Sequence, residues 1–301
     1  MKKNIINKRN FKLACLFLAL IIVSGVFIIC DNFNIRTTEY TVENNAVPTD
    51  FNKFKILQIS DLHNTNFGEN NENLLNLINK EKPDVVFITG DSIDRINTDI
   101  EVPIKLCENI LKICDVYFVA GNHELYADPT MSEEFIETLE NIGVHVLKDS
   151  DAYIERNGEK IQIIGLADAD NYKINYGENF KQDVINTIKN TDDSDCFTIV
   201  LSHHPELFPE YKNTDIDLVF SGHAHGGQFR IPLIGGVVAP EQGLFPEYDA
   251  GVFTENNTTM IVSRGLGNSI IPVRINNPPE IVIVTLKNSD WNFNRCFTDK
   301  D

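Results

Sequence analysis

Apolar positions fall into two regimes along the chain. The first is one unbroken run, residues 13–30, reading LACLFLALIIVSGVFIIC and interrupted only by Ser24 and Gly25. As a helix it would span ~27 Å, close to the hydrocarbon thickness of a bilayer. A polar, aperiodic stretch at 31–52 follows and reads as a tether with one short strand at 39–42. Beyond it the pattern changes to short β-branched runs: 55–60 (KILQIS), 85–89 (VVFIT), 116–120 (VYFVA), 198–202 (TIVLS) and 218–221 (LVFS). Each predicts a strand, and each runs directly into small and polar residues.

Between the early strands, 73–82, 102–113 and 132–141 carry apolar residues at helical spacing, the last with Ser132 placed to cap it. Strand alternating with helix predicts a largely parallel sheet, in which ligands bind at the carboxyl ends of the strands. The second half differs, with strand-like runs at 152–155, 161–166, 251–253, 259–263 and 280–286 and no strong helix after Lys212. It predicts a second sheet packed on the first, with helices outside. The expected organisation is a basic segment at 1–12, the apolar segment at 13–30, a linker at 31–52, one large domain at 53–290 and a tail at 291–301.

Charge sharpens this picture. Lys plus Arg number 26 against 44 Asp plus Glu, a formal charge of −18. Lys2, Lys3, Lys8, Arg9 and Lys12 contribute +5 before the apolar run, so everything after it sums to −23. A body this acidic excludes binding to nucleic-acid duplexes, which needs a basic face. The basic flank predicts a cytoplasmic N-terminus and a single membrane pass, with the body outside the cytoplasm at the cell membrane. The competing expectation is a signal segment cleaved near Val23-Ser24-Gly25, giving a secreted body. The six cysteines show no CxxC spacing and read as buried small hydrophobes.

The candidate chemistry sits where the strands end. Six of the seven histidines lie there: His63, His123, His203, His204, His223 and His225, accompanied by Asp61, Asp91 and Asn122. His145 stands apart as a structural histidine. Imidazoles, carboxylates and an amide oxygen without a thiolate suit first-row metals such as Mn, Fe, Zn, Co or Ni. The donors outnumber the four of one tetrahedral site, which points to two divalent ions.

In order, DxH at Asp61–His63, GD at Gly90-Asp91, GNHE at Gly121–Glu124, a His before Pro205 and GHxH at Gly222–His225 resemble the calcineurin-like metallophosphoesterases. The tail from Gly222 to Leu286 resembles their membrane-associated bacterial branch, related to exported phosphodiesterases and lipid-nucleotide pyrophosphatases. The resemblance covers about residues 54–286. It implies an α/β fold, a four-layer αββα sandwich of two mixed sheets flanked by helices, with a dimetal site at the strand C-termini. It also implies that Asp61, His63 and His225 bind one metal, that Asn122, His203 and His223 bind the other, and that Asp91 bridges them. A hydroxide shared by the metals would attack phosphorus, and His123 would stabilise the transition state or protonate the leaving group.

The activity so implied is hydrolysis of a phosphoester or pyrophosphate, with a lipid-linked substrate such as a UDP-diacylglucosamine-like pyrophosphate suggested by the apolar segment. A metal-stabilised binding module at the cell surface and a protein phosphatase are the alternatives. His204 is expected to line the site or face away, and Asp94 to steady a ligand histidine or lie in solvent. Arg264 is expected to meet phosphate, and Gly226 and Gly227 to let backbone approach the metals.

Overall fold

A computed structural model of the protein describes residues 8–193, 195–268 and 272–289; Lys2, Lys3 and the tail expected at 291–301 lie outside the described residues. Helix α1 (Lys8–Phe33) takes in the apolar run, and Leu13, Leu16, Phe17, Leu20 and Ile21 along it are exposed. Among the described residues, no helix is long and apolar enough to cross a membrane.

The body begins sooner than expected. Residues assigned to the tether form strand β1 (Arg36–Asn44), nine residues at a sheet edge. Its pattern RTTEYTVEN buries only Val42 fully, because the edge position covers one side of the strand. Then follow β2 (Lys55–Ile59), α2 (Glu72–Glu81), β3 (Val85–Thr89), α3 (Glu101–Ile110), β4 (Asp115–Val119), α4 (Asn122–Tyr126), α5 (Pro129–Ile142) and β5 (His145–Val146). Strands β6 (Ser150–Arg156) and β7 (Glu159–Gly165) form a hairpin, after which α6 (Ala169–Tyr176) and α7 (Phe180–Thr191) lead to β8 (Phe197–Leu201). Those two helices were not expected; α6 is nearly as apolar on one face as on the other, so no helical stripe marks it.

A short helix α8 (Phe208–Tyr211) precedes β9 (Leu218–Ser221). Four two-residue strands come next, β10 (Arg230–Ile231) with β11 (Gly235–Gly236) and β12 (Val238–Ala239) with β13 (Gly243–Leu244). Strands β14 (Gly251–Glu255), β15 (Thr258–Val262) and β16 (Glu280–Asn288) complete the order. The first sheet runs β1-β16-β2-β3-β4-β5 and the second β14-β15-β9-β8-β7-β6. Both are mixed: β16 is parallel to β1 and antiparallel to β2, and hairpin partners close the second sheet at either end.

The sheets pack face to face. Ile56, Phe87, Tyr117 and Val284 of the first meet Ile163, Ile199, Phe220 and Ile261 of the second. On the outer face of the first sheet, Leu57, Val86 and Phe118 pack with α2, α3 and α5 through Leu74, Ile104 and Phe135. On that of the second, Val200, Val219 and Met260 pack with Tyr172, Val184 and Ile188 of α6 and α7. Burial on both faces is why VVFIT and FTIVL contain no alternation. Cys107 is buried and Cys114 half-buried, and both are free thiols.

One acid joins the two sheets. Asn44 Nδ2 at the end of β1 donates to Asp217 Oδ1 (3.0 Å), and the Thr198 N–H of β8 donates to Oδ2 (3.0 Å). Burial nevertheless pushes the Asp217 carboxyl up to about 6. An unfolded Asp ionises near ~3.9, so between those values the folded chain holds the extra proton and stability falls as pH rises. Relative to wild type, Asp217→Asn should gain up to ~3 kcal/mol between pH ~4 and pH ~7, about two pKa units of differential binding as an upper bound for this partly buried group. Urea denaturation of both proteins at the two pH values measures it; a constant difference refutes it.

Candidate metal centre

Strands β2, β3, β4, β8 and β9 deliver their following residues to one place. Asp61 and His63 follow β2, Asp91 follows β3, Asn122 and His123 open α4 after β4, His203 follows β8, and His223 and His225 follow β9. Asp61, His63, Asp91, His223 and His225 have φ between 44° and 64°, left-handed backbone that non-glycine residues seldom adopt. The chain thus turns back immediately at each strand end, and the turns are bonded to one another. The Asp61 N–H donates to Gly90 O (3.0 Å), the His63 N–H to Asp91 O (3.0 Å) and the Gly222 N–H to His203 O (3.0 Å). Gly90 has φ +85°, and a Cβ there would lie 2.6 Å from His203 Nδ1 and 2.8 Å from Gly121.

The turn at Asp91 is held by a buried acid that sequence reasoning did not single out. Glu124 accepts the backbone N–H groups of Asp91 (2.9 Å), Ser92 (2.7 Å), Ile93 (3.1 Å) and Gly121 (2.7 Å). Burial and the nearby Asp91 carboxylate push its carboxyl up to about 7 despite those donors.

Among the described residues four groups of side chains could hold a cation, and two of them share Asp91. In one, Asp61, His63, Asp91 and His225 are all buried and offer ligand atoms within 4.8 Å of one another; in the other, Asp91, His203 and His223 do the same. His63 Nε2 faces His225 Nε2 at 3.1 Å, and His225 Nε2 lies 3.5 Å from Asp61 Oδ1. Asp91 Oδ2 is 3.2 Å from His203 Nε2 and 3.7 Å from His63 Nε2. His203 Nδ1 donates to Thr89 O (2.7 Å), which leaves Nε2 as the donor atom toward the centre, 3.2 Å from His223 Nδ1. Asn122 Oδ1 is buried with no hydrogen-bond partner. An amide oxygen orphaned beside converging imidazole nitrogens and carboxylates is a donor set that fits hard or borderline divalent cations.

His123 sits beside this centre. The Arg95 N–H donates to its Nδ1 (3.1 Å), so a neutral ring carries its proton on Nε2. Its ring meets His63 edge-on at 4.4 Å, and burial lowers its pKa from the ordinary histidine value. Asp94 lies 3.6 Å from His123 Nδ1 rather than in solvent, its Oδ1 bonded to the N–H groups of Ile96 and Asn97.

The remaining candidates lie outside the two groups that share Asp91. His204 is outside both groups: it lies between Asp168 (2.9 Å) and Glu206 (2.7 Å), with its ring 4.0 Å behind that of His223. Arg264 is paired with Glu280 (2.5 Å) and does not line the cavity next to the centre; Arg95 does. Gly226 and Gly227 admit neighbouring backbone and side chains, Gly227 against Gly236 and Gly226 against Asn277. His145 is exposed and stacks on Tyr117 at 4.5 Å.

Two further residues touch the histidines. Glu241 Oε2 is 2.6 Å from His223 Nε2, and that bond lowers the acid's pKa. Arg274 is fully buried, donating to Arg264 O (2.7 Å), with its Nη2 3.3 Å from His225 Nδ1. Their sequence signal was weak, because each lies in a loop 18 and 49 residues from the histidine it serves. The cavity beside the centre measures about 370 Å³ and is lined by Arg95, His123, Tyr126, Ala224, Val238 and Pro240 among others.

Residues 54–227 match the family model for calcineurin-like phosphoesterases, which includes every donor named above. The chain belongs to that family. Among similar proteins, the metallophosphoesterase YkuE of Bacillus subtilis is 30% identical over 267 residues, covering 85% of this chain and 87% of its own. A metallophosphoesterase of Aquifex aeolicus is 28% identical over 90% of this chain and 98% of its own, and the phosphodiesterase YaeI of Escherichia coli 25% identical over 81% and 84%. This calcineurin-like phosphoesterase is therefore a hydrolase of phosphoester bonds, of a family that uses divalent metals, with a buried Asp/His cluster able to bind them.

Removing the carboxylate behind His223 should weaken metal binding while leaving the fold intact. Glu241→Ala is expected to raise the dissociation constant for Mn(II) ~10–100-fold, the usual effect of losing a partner that orients a ligand. Competition with a fluorescent chelator measures it, and an unchanged constant would exclude this role for Glu241.

Proposed function

We propose that the protein is a membrane-tethered, dinuclear phosphoesterase acting on phosphodiester or pyrophosphate bonds of a lipid-linked substrate. The observation that carries the dinuclear reading is the sharing of Asp91 by two buried donor groups. In this reading Asp61, His63 and His225 hold one divalent cation, Asn122, His203 and His223 hold the other, and Asp91 serves both. The cations would supply charge to polarise the phosphoryl group and to generate hydroxide from water at neutral pH.

The chain's own residues do the rest. His203 is oriented by Thr89 O, and His223 by Glu241, so their donor atoms are set before any ligand arrives. His123, with its proton on Nε2, donates to the phosphoryl oxygen or to the departing alkoxide, and the Arg95 N–H at Nδ1 keeps it in that tautomer. Arg95 at the cavity wall brings a positive charge to a substrate's second phosphate or diester oxygen. A closed structural metal site would need neither His123 nor the open cavity, which favours catalysis over a binding module.

The tether and lipid link rest on α1, whose Leu13, Leu16, Phe17, Leu20, Ile21 and Ile22 are exposed, and on the apolar cavity wall of Ala224, Val238, Ala239 and Pro240. The body then lies outside the cytoplasm, facing the membrane that holds it.

Metal removal by chelator should abolish hydrolysis of bis(p-nitrophenyl) phosphate, reloading with Mn(II) should restore it, and mass spectrometry should count two ions per chain. Asp91→Asn should lower kcat/KM at least ~100-fold, as expected when charge stabilisation worth several kcal/mol is lost. Turnover that survives the chelator, or one ion per chain, would refute the dinuclear reading. Expression followed by membrane fractionation should leave the full chain in the pellet after a high-salt wash, and recovery in the soluble fraction would refute the tether.

A further inference from the structure

From Ile231 to Pro246 the sequence reads IPLIGGVVAPEQGLFP, one charged residue in sixteen within a chain that is 23% charged. That residue is Glu241, whose carboxylate is bonded to His223. The segment is folded rather than loose. The Val237 N–H donates to Phe229 O (2.8 Å) and the Phe245 N–H to Val237 O (2.8 Å), which fuses the β10–β11 and β12–β13 hairpins into one platform.

The platform nevertheless turns its apolar side chains outward. Leu233 is fully exposed, and Leu244, Ile234 and Phe245 are 71%, 64% and 60% exposed. Four large apolar side chains exposed within residues 233–245 exceed the single scattered ones of an ordinary surface and mark an interaction site. Its two borders say with what. On one side Val238, Ala239 and Pro240 line the cavity beside the metal centre. On the other, the platform is fixed to the end of α1: Asn32 Oδ1 accepts the Arg274 N–H (2.9 Å) and Asn32 Nδ2 donates to Arg274 O (3.1 Å). The next residue, Ile275, bridges to Phe229 and accepts the Arg230 N–H (3.0 Å) at the base of the first hairpin.

The exposed apolar helix therefore leaves the body within a few residues of the exposed apolar platform, and the platform leads into the cavity. We propose that the 231–246 platform is seated in the interfacial layer of a lipid bilayer, with Leu233, Ile234, Leu244 and Phe245 among the lipids. The inference rests on the membrane-tether reading above. Near-absence of charge suits that occupant, since charged side chains are expelled from the bilayer while aliphatic and aromatic ones are held in its interface. Seated so, the cavity opens onto the headgroup layer, and the substrate class narrows to a phosphoester in the headgroup of a membrane lipid, reached by lateral diffusion.

The test uses the full chain reconstituted in phosphatidylcholine vesicles, with Trp291→Phe removing the single native tryptophan and Leu233→Trp as reporter. Blue-shifted emission, quenched by lipids carrying nitroxide near the headgroup, is expected. In Ile234→Glu/Phe245→Glu with the same reporter, quenching should be lost while turnover of soluble bis(p-nitrophenyl) phosphate stays within ~2-fold, because exposed positions away from the centre leave the fold unchanged. Vesicle-bound protein with an unquenched reporter would overturn the platform inference and leave the tether standing. A chain that does not bind vesicles at all would overturn both. A reporter shielded in a concentration-dependent dimer instead would assign the platform to a second copy and overturn the inference.

Discussion

The Asp91 carboxylate is the point on which the two halves of the molecule close. It follows β3 in the first sheet, yet its Oδ2 faces His203 from the second sheet at 3.2 Å, and its Oδ1 accepts the His123 N–H at 2.8 Å. A buried carboxylate is tolerated only when its surroundings supply positive charge or donors. Here burial opposes ionisation, and His203, His63 and His123 hold the group well below the usual carboxylate range. In return burial and Asp91 act on His203, whose pKa rises to about 10, while His63, turned toward other imidazoles, is pushed down to about 3 by burial. The cluster is thus a set of imidazoles gathered around one oxygen pair, and the Glu124 bonds to the Asp91 turn keep that pair in place.

Much of this was legible in the chain because parallel strands buried on both faces leave a plain signature. VVFIT and FTIVL are buried throughout and apolar but for one threonine each, and the polar residues that follow such runs fall at one edge of the sheet. Asp61, His63, Asp91, His203, His223 and His225 could be placed together on that ground, and the structure brings them together. What escaped notice lacked a local pattern. β1 mixes threonines and charged residues with few apolar ones because it is an edge strand, and its pairing with β16 makes it a strand. Glu241 and Arg274 reach their histidines across loops, so nothing near them in sequence indicates the contact. Arg264 was misplaced for the converse reason: a glycine-flanked arginine suggests phosphate, whereas tertiary packing gives it Glu280 as partner.

The acidic body and the centre are opposed in sign. After the apolar run the chain sums to −23, a charge that repels phosphate esters at long range. Divalent cations held by the Asp61 and Asp91 cluster would reverse that balance at one place, and Arg95 on the cavity wall would extend the reversal. Approach to the centre is then least opposed along the 231–246 platform, where Glu241 is the one charged residue and the repelling field has few sources.

The position of β16 has a consequence for how the molecule comes to exist. This last strand, Glu280–Asn288, lies between β1 and β2, the first two strands made. No shorter stretch beginning at the N-terminus can join β1 to the rest of the first sheet, because its neighbour has not yet been synthesised. Arg274 and Asn277, which hold His225 through its ring and its carbonyl, lie just before that strand. Ring closure over such sequence distances is slow compared with local pairing. His225 therefore lacks two of the partners that hold it until residues 274–277 have been made, and a chain cut short of them leaves that corner of the centre unsupported.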